Sequence, residues 1–215
     1  MNIKRFTFNP FGESTYLVWD VPTGCAAVVD PGMSNSAEER MFDRFVQNNS
    51  LTITQIINTH LHLDHCWGNN YVKNRYGVST AANLEDSFLS ERVAQQARMF
   101  GLGGDDGDFQ PVAIDTELKD GDTISIGESN LQVLAVPGHS PGSIALYDPI
   151  GGFVIVGDAL FRGAIGRTDL PGGDYRTLSA SIRNKLFALP DKTIVYPGHE
   201  ATTTIGIEKK TNPYV

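Results

Sequence analysis

An α+β chain, with two β-sheets packed face to face and helices on the outside, is the architecture that this 215-residue sequence specifies. Three observations point to it. Strand and helix signals fall into blocks: strands, then helices, then strands again, then a closing helix. The hydrophobic share of 40% can bury a sizeable core without cross-links, and a charged share of 20% is ordinary for a soluble globular chain, so one domain over residues 1–215 is expected. Finally, four segments carrying metal-ligand side chains each follow directly on a strand-like run, which would gather them at one rim.

The elements follow in order. Residues 3–8, 15–20 and 26–30 read as short strands of a meander, with turn chemistry at Asn9-Pro10-Phe11-Gly12 and Pro22-Thr23-Gly24. Ser36 can cap a helix whose first turn carries Glu38 and Glu39 and whose apolar face is Met41, Phe42, Phe45 and Val46. Thr52 to Thr59 is β-branched and apolar enough for a buried strand, and Gly68-Asn69-Asn70 can open a helix near 69–76. A short strand at 78–81 and a helical stretch from about 84 to 100 come next.

Gly101-Leu102-Gly103-Gly104-Asp105-Asp106-Gly107-Asp108 then reads as a surface loop, since its Asp/Gly content matches no EF-hand spacing. From 112 to 157 the pattern is strands, with Asp120-Gly121-Asp122 and Gly151-Gly152 as hairpin turns. A helix at 174–188 carries Leu178, Ile182, Leu186 and Leu189, and the last strand, Thr193 to Tyr196, runs into His199.

Composition narrows the partners. The net charge is −8, with 17 basic residues spread thinly among 25 acidic ones, which disfavours nucleic acid. No apolar run approaches the ~18 residues of a spanning helix, so no membrane is expected. Met1 to Phe6 lacks the apolar core of a secretory signal, which makes the cytoplasm the expected compartment. Cys25 and Cys66 are too few for a disulfide framework, and Cys66, although beside His65, is expected to be a packed thiol. An anionic small molecule would find its positive charge at Arg162, Arg167, Lys209 or Lys210.

All five histidines fall in three short segments: His60-Leu61-His62-Leu63-Asp64-His65, Pro137-Gly138-His139 and Pro197-Gly198-His199. None is spent elsewhere, and neutral imidazole is the commonest side-chain ligand for zinc, iron and related ions. On a strand, His60, His62 and Asp64 would share a side that His65 does not, so the first cluster is expected to be a strand-to-helix loop whose ligands diverge toward two centres. Val156-Gly157-Asp158 repeats the strand, glycine, ligand order of the other two segments, which brings Asp158 into the set.

Taken together, His60-x-His62-x-Asp64-His65, His139, Asp158 and His199 resemble the motif signature of the metallo-β-lactamase superfamily. Asp30-Pro31-Gly32 resembles its first motif, and the match runs from about Asn9 to the C-terminus. The resemblance implies a four-layer αββα sandwich with a dinuclear site at one edge of the sheets. It places one divalent metal on His60, His62 and His139 and a second on Asp64, His65 and His199. Asp158 would bridge them, Asp30 would stand behind the ligands, and Asp64 and Asp158 would be the carboxylates that act in catalysis. Zinc and iron suit this set, as does manganese.

Departures narrow the group. Zinc β-lactamases resemble this pattern but carry cysteine where Asp158 stands, which argues against antibiotic hydrolysis. Flavodiiron proteins put glutamate at the position of His62. The fit is to the short bacterial glyoxalase II-like hydrolases, to which Asn9 to Gly12, Gly157 to Phe161 and Asn212-Pro213-Tyr214 are similar. That group implies cleavage of a small-molecule hydroxyacyl thioester, of the S-D-lactoylglutathione kind, by a metal-bridging hydroxide. Where the long glyoxalase II enzymes have a lysine for a glutathione carboxylate, Arg167 can substitute, whereas Asp169 and Ala201 stand where their glutathione-contacting tyrosines would be. A second resemblance lies in Gly166-Arg167-Thr168-Asp169, which is similar to a stretch of the persulfide dioxygenases; these use one iron on the equivalents of His60, His139 and Asp158.

Overall fold

The computed structural model describes residues 1–103 and 109–215; most of the Asp/Gly-rich loop, from Gly104 to Asp108, lies outside the described residues. The first sheet is built from β1 (Asn2–Phe8), β2 (Glu13–Trp19), β3 (Cys25–Val29), β4 (Thr52–Ile57), β5 (Ser79–Ala82) and β6 (Thr116–Glu117), in that spatial order. Its first three strands form the antiparallel meander expected from the turn residues, and β3, β4, β5 and β6 pair in parallel. The parallel crossovers carry α1 (Ser36–Asn48), α2 (Leu63–Cys66) with α3 (Asn69–Tyr76), and α4 (Ser87–Ser90) with α5 (Val93–Met99).

The second sheet holds β7 (Thr123–Ile126), β8 (Ser129–Ala135), β9 (Ile144–Asp148) and β10 (Phe153–Gly157). Beyond a small ribbon of β11 (Leu160–Phe161) and β12 (Ala164–Ile165) and the helix α6 (Tyr175–Ser181), it is completed by β13 (Ile194–Pro197) and β14 (Thr203–Thr204). The chain closes with α7 (Ile205–Thr211).

Side-chain alternation along the strands makes the four layers. In β2, Tyr16 and Val18 face the second sheet, where they join Val133, Leu146 and Ile155 in a core between the sheets. Leu17, between them, points the other way, into a cluster with Phe42 and Val46 of α1 and Val72 of α3. The outer face of the second sheet does the same: Val154 and Val195 meet Leu178 of α6 and Ile205 of α7. The αββα sandwich is therefore the direct outcome of period-2 strands whose two faces are both apolar.

Several expectations change in detail. Asn35, not Ser36, caps α1, its side-chain oxygen accepting from the backbone N–H groups of Ala37 and Glu38. The 84–100 stretch is broken into a 3₁₀ turn at Leu84–Asp86 and the short helices α4 and α5. Asp120-Gly121-Asp122 is not a hairpin turn: β6 belongs to the first sheet and β7 to the second, so these residues carry the chain from one sheet to the other, while the β7–β8 hairpin turns at Gly127 and Glu128. The helix predicted at 174–188 starts after Asp174, whose side chain caps it, and its second half, Ile182–Leu186, widens into π geometry. Strand β14 and helix α7 were not foreseen. They are held by Glu208, a buried carboxylate that accepts from Thr203 Oγ1 at 2.6 Å and from the Gly163 N–H at 2.9 Å.

Candidate metal centre

Strand ends position every candidate ligand. His60 and His62 follow β4, and Asp64 and His65 lie not in open loop but in the single turn of α2, where the His65 ring packs 4.1 Å from that of His60. His139 follows β8, Asp158 follows β10, and His199 follows β13. The repeated glycine works in different ways at the three later segments. Gly138 and Gly157 have φ of 129° and 51°, which favours glycine. Gly198 has no such need; a Cβ there would collide with Asp158 Oδ1 and lie 2.6 Å from His65 Cε1, so the residue is empty space required by the ligands.

The side chains converge. One ligand atom each from His60, His62 and His139 lie within 4.8 Å of one another, and the same holds for Asp64, His65 and His199. Asp158 lies between the sets: Oδ1 is 3.3 Å from His65 Nε2, and Oδ2 is 3.7 Å from His139 Nε2 and 3.6 Å from His199 Nε2. Asp30, His60 and His65 also approach closely, but the carboxylate of Asp30 is already spent. It accepts from the Thr59 N–H at 2.7 Å and Thr59 Oγ1 at 2.6 Å, and its Oδ2 lies 3.1 Å from His65 Nδ1.

The residues present fit a metal on an observation independent of any pattern. His60 Nε2, His65 Nε2 and Asp158 Oδ1 are buried without a hydrogen-bond partner. Burying such groups unpaired is costly, which a cation would relieve. The outward nitrogens are already engaged: His139 Nδ1 is 2.8 Å from the Arg167 carbonyl and so donates to it, and His65 Nδ1 faces Asp30. Those contacts leave Nε2 of each ring free to ligate. His62 Nδ1 lies 2.9 Å from His139 Nε2, so the two nitrogens share a proton or would face one cation together.

Electrostatics divide the two sets. Burial, with the neighbouring imidazoles, pushes His60 well below the usual imidazole value and His62 down to about 3. Burial would also depress His65, but the Asp158 and Asp64 carboxylates outweigh it and raise this imidazole well above its usual value. His199 is raised in the same way, burial being outweighed by the Asp64 hydrogen bond and by Asp158. Asp64 and Asp158, whose burial alone would raise them, are held low chiefly by His65. The second set therefore favours positive charge among its ligands, whereas the first favours neutral imidazoles.

Sequence reasoning missed the buttress of this centre. Asp86 is buried and accepts from the Leu61 N–H at 3.2 Å, from Ser140 Oγ at 2.7 Å and from the Gly142 N–H at 2.7 Å. One carboxylate thus ties the loop of His60 and His62 to the loop of His139. Asn58 does similar work, donating to the His65 carbonyl at 2.9 Å. Neither stands in a recognisable spacing, so only the folded distances reveal them.

The open face of the centre is a cleft lined by Phe11, Phe100, Arg167 and Leu170 with the candidate ligands His62, Asp64, His139, Asp158 and His199. Arg167 is exposed and its Nε and Nη2 lie 2.7 and 2.8 Å from the two carboxylate oxygens of Asp169. Arg162 sits in the exposed β11–β12 turn and does not line the cleft. Cys66 is buried in an apolar cluster with Leu61 and Leu89, where burial raises its thiol. Among the described residues no helix is long and apolar enough to cross a membrane.

Comparison with known proteins agrees with this geometry. Residues 8–199 match the family profile described as Metallo-beta-lactamase superfamily. The hydroxyacylglutathione hydrolase GloC of Haemophilus influenzae is 37% identical, over 100% of this chain and 98% of its own. The crystal structure of TTHA1623 in a di-iron-bound form superposes with a TM-score of 0.85 at 35% identity, covering 99% of this chain and 100% of that one. That of BLEG-1 B3 metallo-beta-lactamase superposes with a TM-score of 0.86 at 32% identity, covering 99% of each.

Proposed function

From the premise that this chain belongs to the metallo-beta-lactamase superfamily, we propose that it is a metal-dependent hydrolase of hydroxyacyl thioesters of the S-D-lactoylglutathione type. We assign one ion to His60, His62 and His139, a second to Asp64, His65 and His199, and the place between them to Asp158. Divalent ions held there would polarise a carbonyl oxygen and lower the pKa of water to about 7. Every remaining step falls to the protein's own groups, and these are few.

One observation carries the thioester reading. Among the described residues lining the cleft there is no lysine, tyrosine, serine or cysteine, so beyond the candidate ligands nothing is placed to protonate a departing group. A thiolate, with a pKa of about 8.5, leaves without such help, whereas an alkoxide or amine would need it. Phe11, Phe100 and Leu170 give the cleft apolar walls, and Arg167 supplies the charge that suits a carboxylate on the thiol carrier. The likeness to the GloC hydrolase supports the same substrate class, and that to a di-iron structure supports a two-ion centre.

The test is a side-by-side measurement on iron-loaded and zinc-loaded protein of S-D-lactoylglutathione hydrolysis, oxygen consumption with glutathione persulfide, and β-lactam cleavage. The β-lactam arm is included because a structure so described superposes over almost the whole chain. Thioester cleavage without oxygen uptake is expected in both forms. Rapid oxygen uptake by the iron form with negligible thioester cleavage would instead assign the chain to the persulfide dioxygenases, which Gly166 to Asp169 resemble.

A further inference from the structure

Beside the metal cleft lies a second, largely apolar pocket between α4–α5 and the segment that follows β12. Phe88, Leu89, Met99 and Phe100 form one wall, and Leu170 and Pro171 the other. The two spaces adjoin, because His62, Phe100 and Leu170 line both. Met99 is 58% exposed and Phe100 39%, and the two are adjacent at the mouth of this pocket.

The walls are fixed. Gln96 closes the inner end with its amide fully spent: Oε1 accepts from the Leu63 N–H at 3.0 Å, and Nε2 donates to the Leu89 carbonyl at 2.9 Å and the Leu61 carbonyl at 3.3 Å. Phe100 is braced edge-on against Phe11, with ring centroids 5.2 Å apart. No side chain of Arg92, at the rim, makes an ion pair among the described residues, so its aliphatic stem can line the pocket while its head stays in water.

We propose that this pocket is the acyl subsite, and that the substrate is a thioester whose acyl group carries an apolar chain longer than lactoyl. The inference rests on the thioesterase reading above. A thioester extends in two directions from its carbonyl. The thiol carrier is bulky and charged and suits the Arg167 end of the cleft. The acyl chain begins at the reacting carbon itself, and the space that opens from the candidate ligand His62 is apolar. Gln96 is engaged with the backbone and the polar groups of Arg92 and Gln95 complete the lining, so within the pocket the walls of Phe88, Leu89, Met99, Phe100, Leu170 and Pro171 make length and hydrophobicity set the preference.

Two measurements test it. Glutathione thioesters of lactate, butanoate, hexanoate and octanoate are compared by kcat/KM, and the free linear carboxylates are titrated calorimetrically. Each added methylene that enters the pocket should raise both kcat/KM and affinity about threefold to fourfold until the pocket is full. Met99→Glu should abolish both slopes, and Met99→Leu should retain them. Flat slopes in the unmodified protein overturn the subsite, even if thioesters are cleaved. A rising carboxylate affinity with no thioester cleaved would keep the apolar subsite and overturn the thioesterase reading instead.

Discussion

Asp30 Oδ2 lies 3.1 Å from His65 Nδ1, and both side chains are buried. The aspartate holds this position at a φ of 50°, a left-handed conformation that costs roughly 1 kcal/mol or more in a residue with a Cβ. The strain is tolerated because the same carboxylate also binds two donors of Thr59, at the foot of the ligand segment.

Asp30→Asn should therefore weaken metal binding while sparing the fold. The amide oxygen can still accept from the Thr59 N–H, but the NH2 in place of Oδ2 cannot accept from Thr59 Oγ1 or His65 Nδ1 and the charge that orients His65 is lost; partners of this kind typically contribute about 10- to 100-fold in metal affinity. Competition with a chelator of known affinity measures it; unchanged retention would remove Asp30 from its supporting role.

Metal content itself should approach two ions per chain by elemental analysis, and loading should release protons. The sign follows from the imidazoles. His65 and His199 are raised, so they hold protons to higher pH than ordinary histidines, whereas His60 and His62 are depressed and stay neutral. Acidification should empty the Asp64, His65 and His199 set first, seen as loss of one ion before the other in a pH series.

Asp86→Ala should be among the most destabilising single changes outside the apolar core. It strands the donors of Leu61, Ser140 and Gly142, and each buried unsatisfied group costs about 1–3 kcal/mol. Chemical denaturation should show a loss on the order of 3 kcal/mol, with weakened metal binding because two ligand loops lose their common tie.

Asp169→Asn should free the Arg167 guanidinium for substrate. With its partner neutral, the arginine can take a carboxylate on the thiol carrier, so KM for a glutathione thioester should fall severalfold with kcat little changed. Arg167→Ala should raise KM. Equal KM in both variants would place the thiol carrier elsewhere.

Cys66→Ala should leave metal content and activity nearly intact, since the thiol is packed with Leu61, Leu63 and Leu89. Burial raises its pKa, so thiol reagents should label only half-buried Cys25 in the folded protein. Labelling at Cys66 would show that the α2 segment opens.

The parts of this molecule legible in its sequence are those written in local chemistry. His60 to His65, His139, Asp158 and His199 each combine a strand period with a ligand type, so their elements and their convergence could be read together. Asp86 could not be found this way: its partners are 25 to 56 residues distant and two of them are backbone groups. The Asp120-Gly121-Asp122 turn has hairpin chemistry, but the sheet it leads to depends on long-range pairing. Strand β14 has only two residues, too few for a period, and exists because β13 offers it an edge.

The chain crosses from the first sheet to the second once, between β6 and β7. His60, His62, Asp64 and His65 precede that crossing, whereas His139, Asp158 and His199 follow it. Each candidate ion thus takes ligands from both halves of the sandwich. Ions held there would act as clasps across the seam, adding their binding free energy to the adhesion of two otherwise apolar faces, and neither half could inherit, lose or refine the chemistry without the other.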